Sequence, residues 1–364
     1  MANSFLPVHG GQLGELAERF GLSEESLLDF SACVNPHPPD ESLLDALCEA
    51  IRARKSVTCY PDTHYRDLKR ALAEYTRVEP EAIAIGNGVM TLLAATLRSL
   101  KIRKCMVLVP AFVEYRRTLA ACDVDCCTLE LKEEDGFLID CERVLAQLQA
   151  TGAQALLLAN PQSPSGRPMP AAQLNGLRQA AWIRGVAVIV DEAYIDYCAE
   201  HSVVGIAAEA GGLVVLRSLT KFFSMPGLRV AYAVADPGTR FEIEASIPLW
   251  PVDSIAALAA QLSVMDHASI LATRSLNHHQ RTYLQTQLSA QGFTVFPSAA
   301  NYLLLKLNAS LDGAEYWRRL LVEEQLVVRS CANFEGLHRQ FLRVGVRTRA
   351  ENDRLLAAMA RVLI

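Results

Sequence analysis

No apolar run in this sequence approaches the roughly 18 residues a membrane-spanning helix needs; its hydrophobic stretches are strand-length. No membrane partner is therefore expected. The N-terminus has no basic segment followed by a long apolar one, so no secretory signal is expected and a cytoplasmic location is. Positive charge is in short supply: 35 Lys and Arg face 40 Asp and Glu, for a net charge of −5. The corresponding pI of about 5.9 argues against nucleic acid or an anionic membrane surface as a partner. Paired His and Cys at zinc-finger spacing are missing as well. The ten cysteines are scattered apart from Cys122, Cys126 and Cys127, and no second pair answers them. Reduced cysteines and no metal site are the expectation. Internal repeats and low-complexity tracts are also lacking.

What is present is 364 residues with 51% hydrophobic content, enough for a large core. Between about residues 80 and 235, seven short apolar runs alternate with helical patterns. The candidate strands are Ala82–Ile85, Cys105–Val109, Asp125–Leu131, Ala155–Ala159, Val186–Val190, Leu213–Leu216 and Val230–Val234. Met90–Leu100 and Ala171–Ile183 are examples of the helical patterns between them. Nearly continuous apolar runs are what strands covered on both faces look like, so an α/β fold with a mostly parallel sheet is expected. The C-terminal third reads as a smaller α+β domain. A long helix is expected over Ser254–Gln291, and strands over Thr294–Phe296, Tyr302–Leu307, Val327–Arg329 and Phe341–Val346. Thr348 and Glu351 form a capping box for a last helix to Leu363. The expected division is an N-terminal segment over 1–40 packing on the small domain, a large domain over 41–255 and a small one over 256–364.

In such a sheet, ligands collect at the carboxyl ends of strands. Gly86-Asn87-Gly88 follows one candidate strand and opens a helix, a place where backbone N–H groups meet anions. Asp191-Glu192-Ala193-Tyr194 closes the most apolar run. Ser218-Leu219-Thr220-Lys221 follows thirty positions later, and then Arg229. Taken singly, these read as a turn, a helix cap and surface cations. Taken in order, they supply an amine for an aldehyde, a carboxylate for a pyridinium nitrogen, and a hydroxyl with an arginine for a phosphate. Pyridoxal phosphate needs those three functions.

The chain resembles the fold-type I pyridoxal-phosphate enzymes of the aspartate aminotransferase superfamily. Within them it resembles the histidinol-phosphate aminotransferase branch, and there most closely the threonine-phosphate decarboxylases of cobalamin biosynthesis. The likeness rests on the aspartate and lysine segments together with His9-Gly10-Gly11, Leu28 through Pro36, Tyr60-Pro61-Asp62 and Gly86-Asn87-Gly88. It continues in Pro110 through Tyr115, Ala300-Asn301-Tyr302, Arg329 through Asn333 and Phe341 through Val344.

The resemblance implies roles. Lys221 would carry the cofactor as a Schiff base and move protons at the α-carbon, and Asp191 would keep the ring nitrogen protonated. Tyr194 would donate to the phenolic oxygen, and Phe112 would stack on the ring. Ser218, Thr220 and Arg229, with N–H groups near Gly88 and Val89, would hold the phosphate. Tyr60 would reach the cofactor phosphate of a neighbouring subunit, which makes a homodimer the expected unit. His9, Asn35, Arg329 and Arg343 would bind a small phosphorylated amino acid through its carboxylate and phosphate.

Two positions depart from the family pattern. Ser163 stands where the superfamily usually has an Asn touching the phenolic oxygen, and Val89 stands where the similar decarboxylases carry an acidic residue. The expected reaction is decarboxylation of threonine phosphate to aminopropanol phosphate. The alternatives are transamination of histidinol phosphate with 2-oxoglutarate, or cofactor binding without turnover. The same lysine and aspartate serve both reactions, so the arginines and the N-terminal segment must choose between them.

Overall fold

The computed structural model describes residues 6, 7 and 9–363. Seven strands form the main sheet: β1 Ile83–Gly86, β2 Lys104–Val109, β3 Asp125–Glu130, β4 Ala155–Ala159, β5 Ala187–Asp191, β6 Leu213–Ser218 and β7 Ala231–Val234. Their order is β1-β7-β6-β5-β4-β2-β3. Only β7 runs against the others. Successive strand residues face opposite layers, and here both layers are apolar. In β4, Leu156 and Leu158 join one buried cluster while Ala155 and Leu157 join another. Val188 and Val190 of β5 face the first cluster and Ile189 the second. This double burial explains the unbroken apolar runs in the sequence.

A second, four-stranded antiparallel sheet holds β8 Thr294–Val295, β9 Tyr302–Lys306, β10 Arg329–Ser330 and β11 Phe341–Gly345, in the order β10-β11-β9-β8. Leu303, Leu305, Leu342 and Val344 bury one face of it against Trp317 and Leu355. The N-terminal segment belongs to this unit by contact. Leu28–Asp29 pairs in parallel with Leu326–Val327, and Leu16 and Phe30 lie in the same cluster.

Two expectations are corrected. The helix expected over Ser254–Gln291 is two helices, Ser254–Met265 and His267–Ala290, bent by 74°. Asp266 makes the break: its backbone leaves the helical region and its carboxylate caps the second helix at the Ser269 N–H. The strand expected over Val327–Arg329 is also split. Val327 pairs with Asp29, whereas Arg329 pairs with Arg343 in the small sheet. Between them, the Val328 carbonyl accepts from Trp317 Nε1 at 2.7 Å instead of from a strand. The capping box is present, with Thr348 and Glu351 closing the start of Arg349–Val362. All ten cysteines are unpaired. No single helix among the described residues is long and apolar enough to cross a membrane.

Candidate active site

A cleft of about 650 Å³ opens where the carboxyl ends of β1, β2, β4, β5 and β6 face the small sheet. This is a size that suits a cofactor with a small substrate. Lys221 projects into it just beyond β6, with Nζ donating to Thr220 Oγ1 at 3.0 Å. Burial and the nearby Arg229 pull the Lys221 amine below the ordinary lysine range, against the attraction of Asp191. A lower value favours the neutral, nucleophilic form.

Asp191 closes β5 and is buried. Its Oδ2 accepts from the Tyr115 hydroxyl at 2.6 Å and its Oδ1 from the Ala193 N–H at 2.9 Å. Burial raises its carboxyl above the usual range, while these two hydrogen bonds and Lys221 work against the rise. Tyr194 lies three residues on, edge-on to Tyr302 with ring centroids 5.0 Å apart. Phe112 lines the same cleft and packs edge-on against Tyr115.

An anion cradle lies at one end. The helix Val89–Ser99 begins there behind Gly88, whose φ of 83° favours glycine. A Cβ on Gly88 would sit 3.0 Å from Arg229 Nη2, so the glycine leaves that approach open. Ser218 Oγ and Thr220 Oγ1 are 2.8 Å apart at the cradle's edge. A helix N-terminus, two hydroxyls and a guanidinium thus line the same cleft.

The opposite wall is built by the small sheet and the N-terminal segment. Arg329 of β10 and Arg343 of β11 are direct cross-strand partners, and both line the cleft. Like charges placed opposite one another disfavour folding, so this pairing marks a site prepared for anions. Arg329 donates to the carbonyls of Pro7 and Ser330 and to Asn333 Oδ1 at 3.1, 2.5 and 2.6 Å. Burial, with Arg343 adding its repulsion, pulls Arg329 down to about 10. Arg343 donates to the Ser31 carbonyl at 3.2 Å and stands 3.5 Å from Ser163 Oγ. Its Nε is buried with no hydrogen-bond partner among the described residues. His9 reaches the cleft mouth, where its Nε2 is 3.1 Å from Glu114 Oε1.

The structure thus brings twelve of the expected site residues around one cleft along with Lys221, and leaves two outside. Asn35 does not line this cleft. It is buried, with Nδ2 donating to the Phe222 carbonyl at 3.0 Å and Oδ1 accepting from the His37 N–H at 3.1 Å. Its own N–H meets the Lys221 carbonyl at 2.9 Å. It therefore braces the lysine loop from behind, on the side of a separate cavity of about 410 Å³. Tyr60 lies on the surface, 79% exposed and stacked on Trp250 at 4.3 Å. Among the cleft residues given no role from the sequence are Tyr115, Glu114 and Cys33. The three-residue spacing of Phe112 and Tyr115 at a helix start was the available signal for Tyr115; nothing local marked the other two.

The model of the aminotransferase class I and II family matches residues 25–359. A threonine-phosphate decarboxylase from Salmonella typhimurium is 33% identical over 362 residues, covering 99% of this chain and 97% of that one. The solved histidinol-phosphate aminotransferase from Clostridium acetobutylicum superimposes with a TM-score of 0.85 at 27% identity, over 92% of this chain and 99% of its own. A decarboxylase from Sulfurospirillum multivorans shares the fold, with a TM-score of 0.87 at 22% identity over 100% and 96% of the two chains.

Proposed function

The chain belongs to the aminotransferase class I and II family, and from that premise we propose that it decarboxylates L-threonine O-phosphate to aminopropanol phosphate in cobalamin biosynthesis. The observation that carries this reading is the cross-strand pair Arg329–Arg343, which offers two guanidinium groups to a substrate with two acidic groups. The full-length similarity to a threonine-phosphate decarboxylase supports it. The enzyme uses pyridoxal 5′-phosphate and acts on an amino-acid-type substrate. The residues present fit that cofactor: Gly88 keeps open a cradle that a side chain would fill, and the buried Asp191 carboxylate lacks a cationic hydrogen-bond partner among the described residues.

In this reading Lys221 would hold the cofactor's aldehyde carbon, and Ser218, Thr220, Arg229 and the N–H groups at Gly88 and Val89 would hold its phosphate. Asp191 would pair with the ring nitrogen, Tyr194 and Ser163 with the phenolic oxygen, and Phe112 would pack on the ring. The cofactor supplies an electron sink conjugated to the substrate's α-carbon. Arg343 and Arg329 grip the carboxylate and the phosphate, with His9 beside them. Their grip decides which bond at the α-carbon is presented for cleavage. The bond to the carboxylate breaks, its electron pair stays with the α-carbon, and carbon dioxide leaves. The Lys221 amine then delivers one proton to that carbon, so no oxidant or acceptor is consumed.

Tyr60 and Trp250, stacked on the exposed surface, support a homodimer in which Tyr60 completes the partner's cradle. The ten unpaired cysteines support a cytoplasmic location. Transamination of histidinol phosphate is the competing reaction, on the likeness to the Clostridium enzyme. Assay of the loaded enzyme with and without 2-oxoglutarate separates the two. Carbon dioxide released from threonine phosphate without acceptor is the expected result. Glutamate formed from histidinol phosphate only when 2-oxoglutarate is present would overturn it.

A further inference from the structure

Tyr115 is fully buried, and its hydroxyl makes a 2.6 Å hydrogen bond to Asp191 Oδ2. It lies in the first turn of the helix Glu114–Ala121, and its N–H donates to the Phe112 carbonyl at 3.1 Å. Its ring stands edge-on to Phe112, with centroids 5.9 Å apart and planes at 90°. One side chain therefore touches both the carboxylate and the aromatic wall assigned to the cofactor ring. Asp191 is backed by few other donors. The Ala193 N–H holds Oδ1, and Lys221 is the charged group facing it across the cleft. Glu192, the next residue, turns to the other side of the strand, where Arg217 lies 3.8 Å away. The Tyr115 hydroxyl in turn faces Asp191, Tyr302 and Tyr194, and burial raises the phenol far above its ordinary range. It stays a neutral donor at any working pH.

We propose that Tyr115 is a positioning residue that sets how the proton is shared between Asp191 and the cofactor's ring nitrogen. The inference rests on the proposed placement of that nitrogen at Asp191. A donor to a carboxylate stabilises its ionised form, and in a dry site the effect is large. With Tyr115 in place, Asp191 is the weaker base and the proton stays on the ring nitrogen. Without the hydroxyl, the carboxylate binds the proton more tightly and the nitrogen loses positive charge. The ring then withdraws electrons less well, whichever bond at the α-carbon is being broken.

The test is Tyr115→Phe in the full-length protein loaded with ring-¹⁵N-labelled pyridoxal phosphate. The expected result is a ¹⁵N resonance moved from the pyridinium toward the neutral pyridine position. A fall in kcat on the order of tenfold accompanies it, as befits one lost hydrogen bond to a charged group, with substrate KM little changed. Site-specific 3-fluorotyrosine at position 115 keeps the ring and strengthens the donor. It is expected to move the resonance the opposite way, and it serves if the phenylalanine variant fails to fold. An unchanged ¹⁵N resonance in both proteins would overturn the inference, even if kcat fell. A wild-type protein that takes up no cofactor, or shows a neutral ring nitrogen, would instead overturn the cofactor placement on which the inference rests.

Discussion

Arg217 and Arg343 are both buried arginines, yet their surroundings are opposite. Arg217 lies behind the cofactor wall, 2.5 Å from Asp196 and 3.8 Å from Glu192. Tyr75 also donates to Asp196 at 2.6 Å, so the cation is neutralised inside a closed network. Arg343, on the facing wall, has a carbonyl, a distant hydroxyl and the Tyr302 ring face, and it stands across from Arg329. No carboxylate forms an ion pair with Arg343 among the described residues. A buried charge without a counterion is costly, and it persists where a ligand supplies the missing charge. The contrast fits the proposed reading, with a scaffold on one wall and a receptor for acidic groups on the other. The cofactor wall balances its own charges on the far side of the sheet; on the facing wall Arg343 has no ion-pair partner among the described residues.

Substitutions can break or sharpen that contrast. The largest effect belongs to Lys221→Ala, which removes both the cofactor's anchor and the proton donor. Turnover is expected to fall on the order of 10²–10⁴-fold from lost proton transfer alone. Single-turnover product release reads the rate, and the visible band of lysine-bound cofactor should vanish. Next is Arg343→Lys, which keeps the charge but loses the planar fork. A fall in kcat/KM of about ten- to a hundredfold is expected, with cofactor affinity intact by equilibrium dialysis. Loss of cofactor binding instead would place Arg343 on the scaffold side.

Asn35→Ala tests a residue that lies outside the cleft. It leaves the Phe222 carbonyl and the His37 N–H unpaired, so stability should fall by about 1–3 kcal/mol in denaturant unfolding. Substrate KM should stay close to wild type. A raised KM at unchanged stability would return Asn35 to the substrate wall. The smallest effect is expected for Ser163→Asn. An added donor at the phenolic oxygen favours its ionised form, so the visible band should titrate lower by about 0.4–1 pH unit, the worth of one neutral hydrogen bond. An unmoved titration would show that position 163 does not touch that oxygen.

The cofactor wall was legible in the sequence because its residues follow strand ends in chain order. Asp191, Ser218 and Lys221 announce themselves by lying directly after apolar runs, and β4 to β6 were readable because both their faces are buried. The substrate wall is assembled from positions some 300 residues apart, such as Ser31 and Arg343, and spacing carries no trace of that meeting. The motif likeness named Arg329 and Arg343 but not their cross-strand pairing. It also named Asn35, whose amide bonds the Phe222 carbonyl and the His37 N–H outside the cleft. Tyr115 escaped because a tyrosine at a helix start is ordinarily core. Asp266 escaped because a single capping aspartate inside a helical pattern is easily read as a surface residue.

The central claim is that the Arg329–Arg343 wall turns the carboxylate, and not the α-hydrogen, toward cleavage. Substrate deuterated at the α-carbon tests it most directly. With α-deuterated L-threonine O-phosphate, the account predicts aminopropanol phosphate that keeps the deuterium, seen by proton NMR of the product alongside one equivalent of carbon dioxide. Deuterium released to water with a keto acid as the product would contradict it.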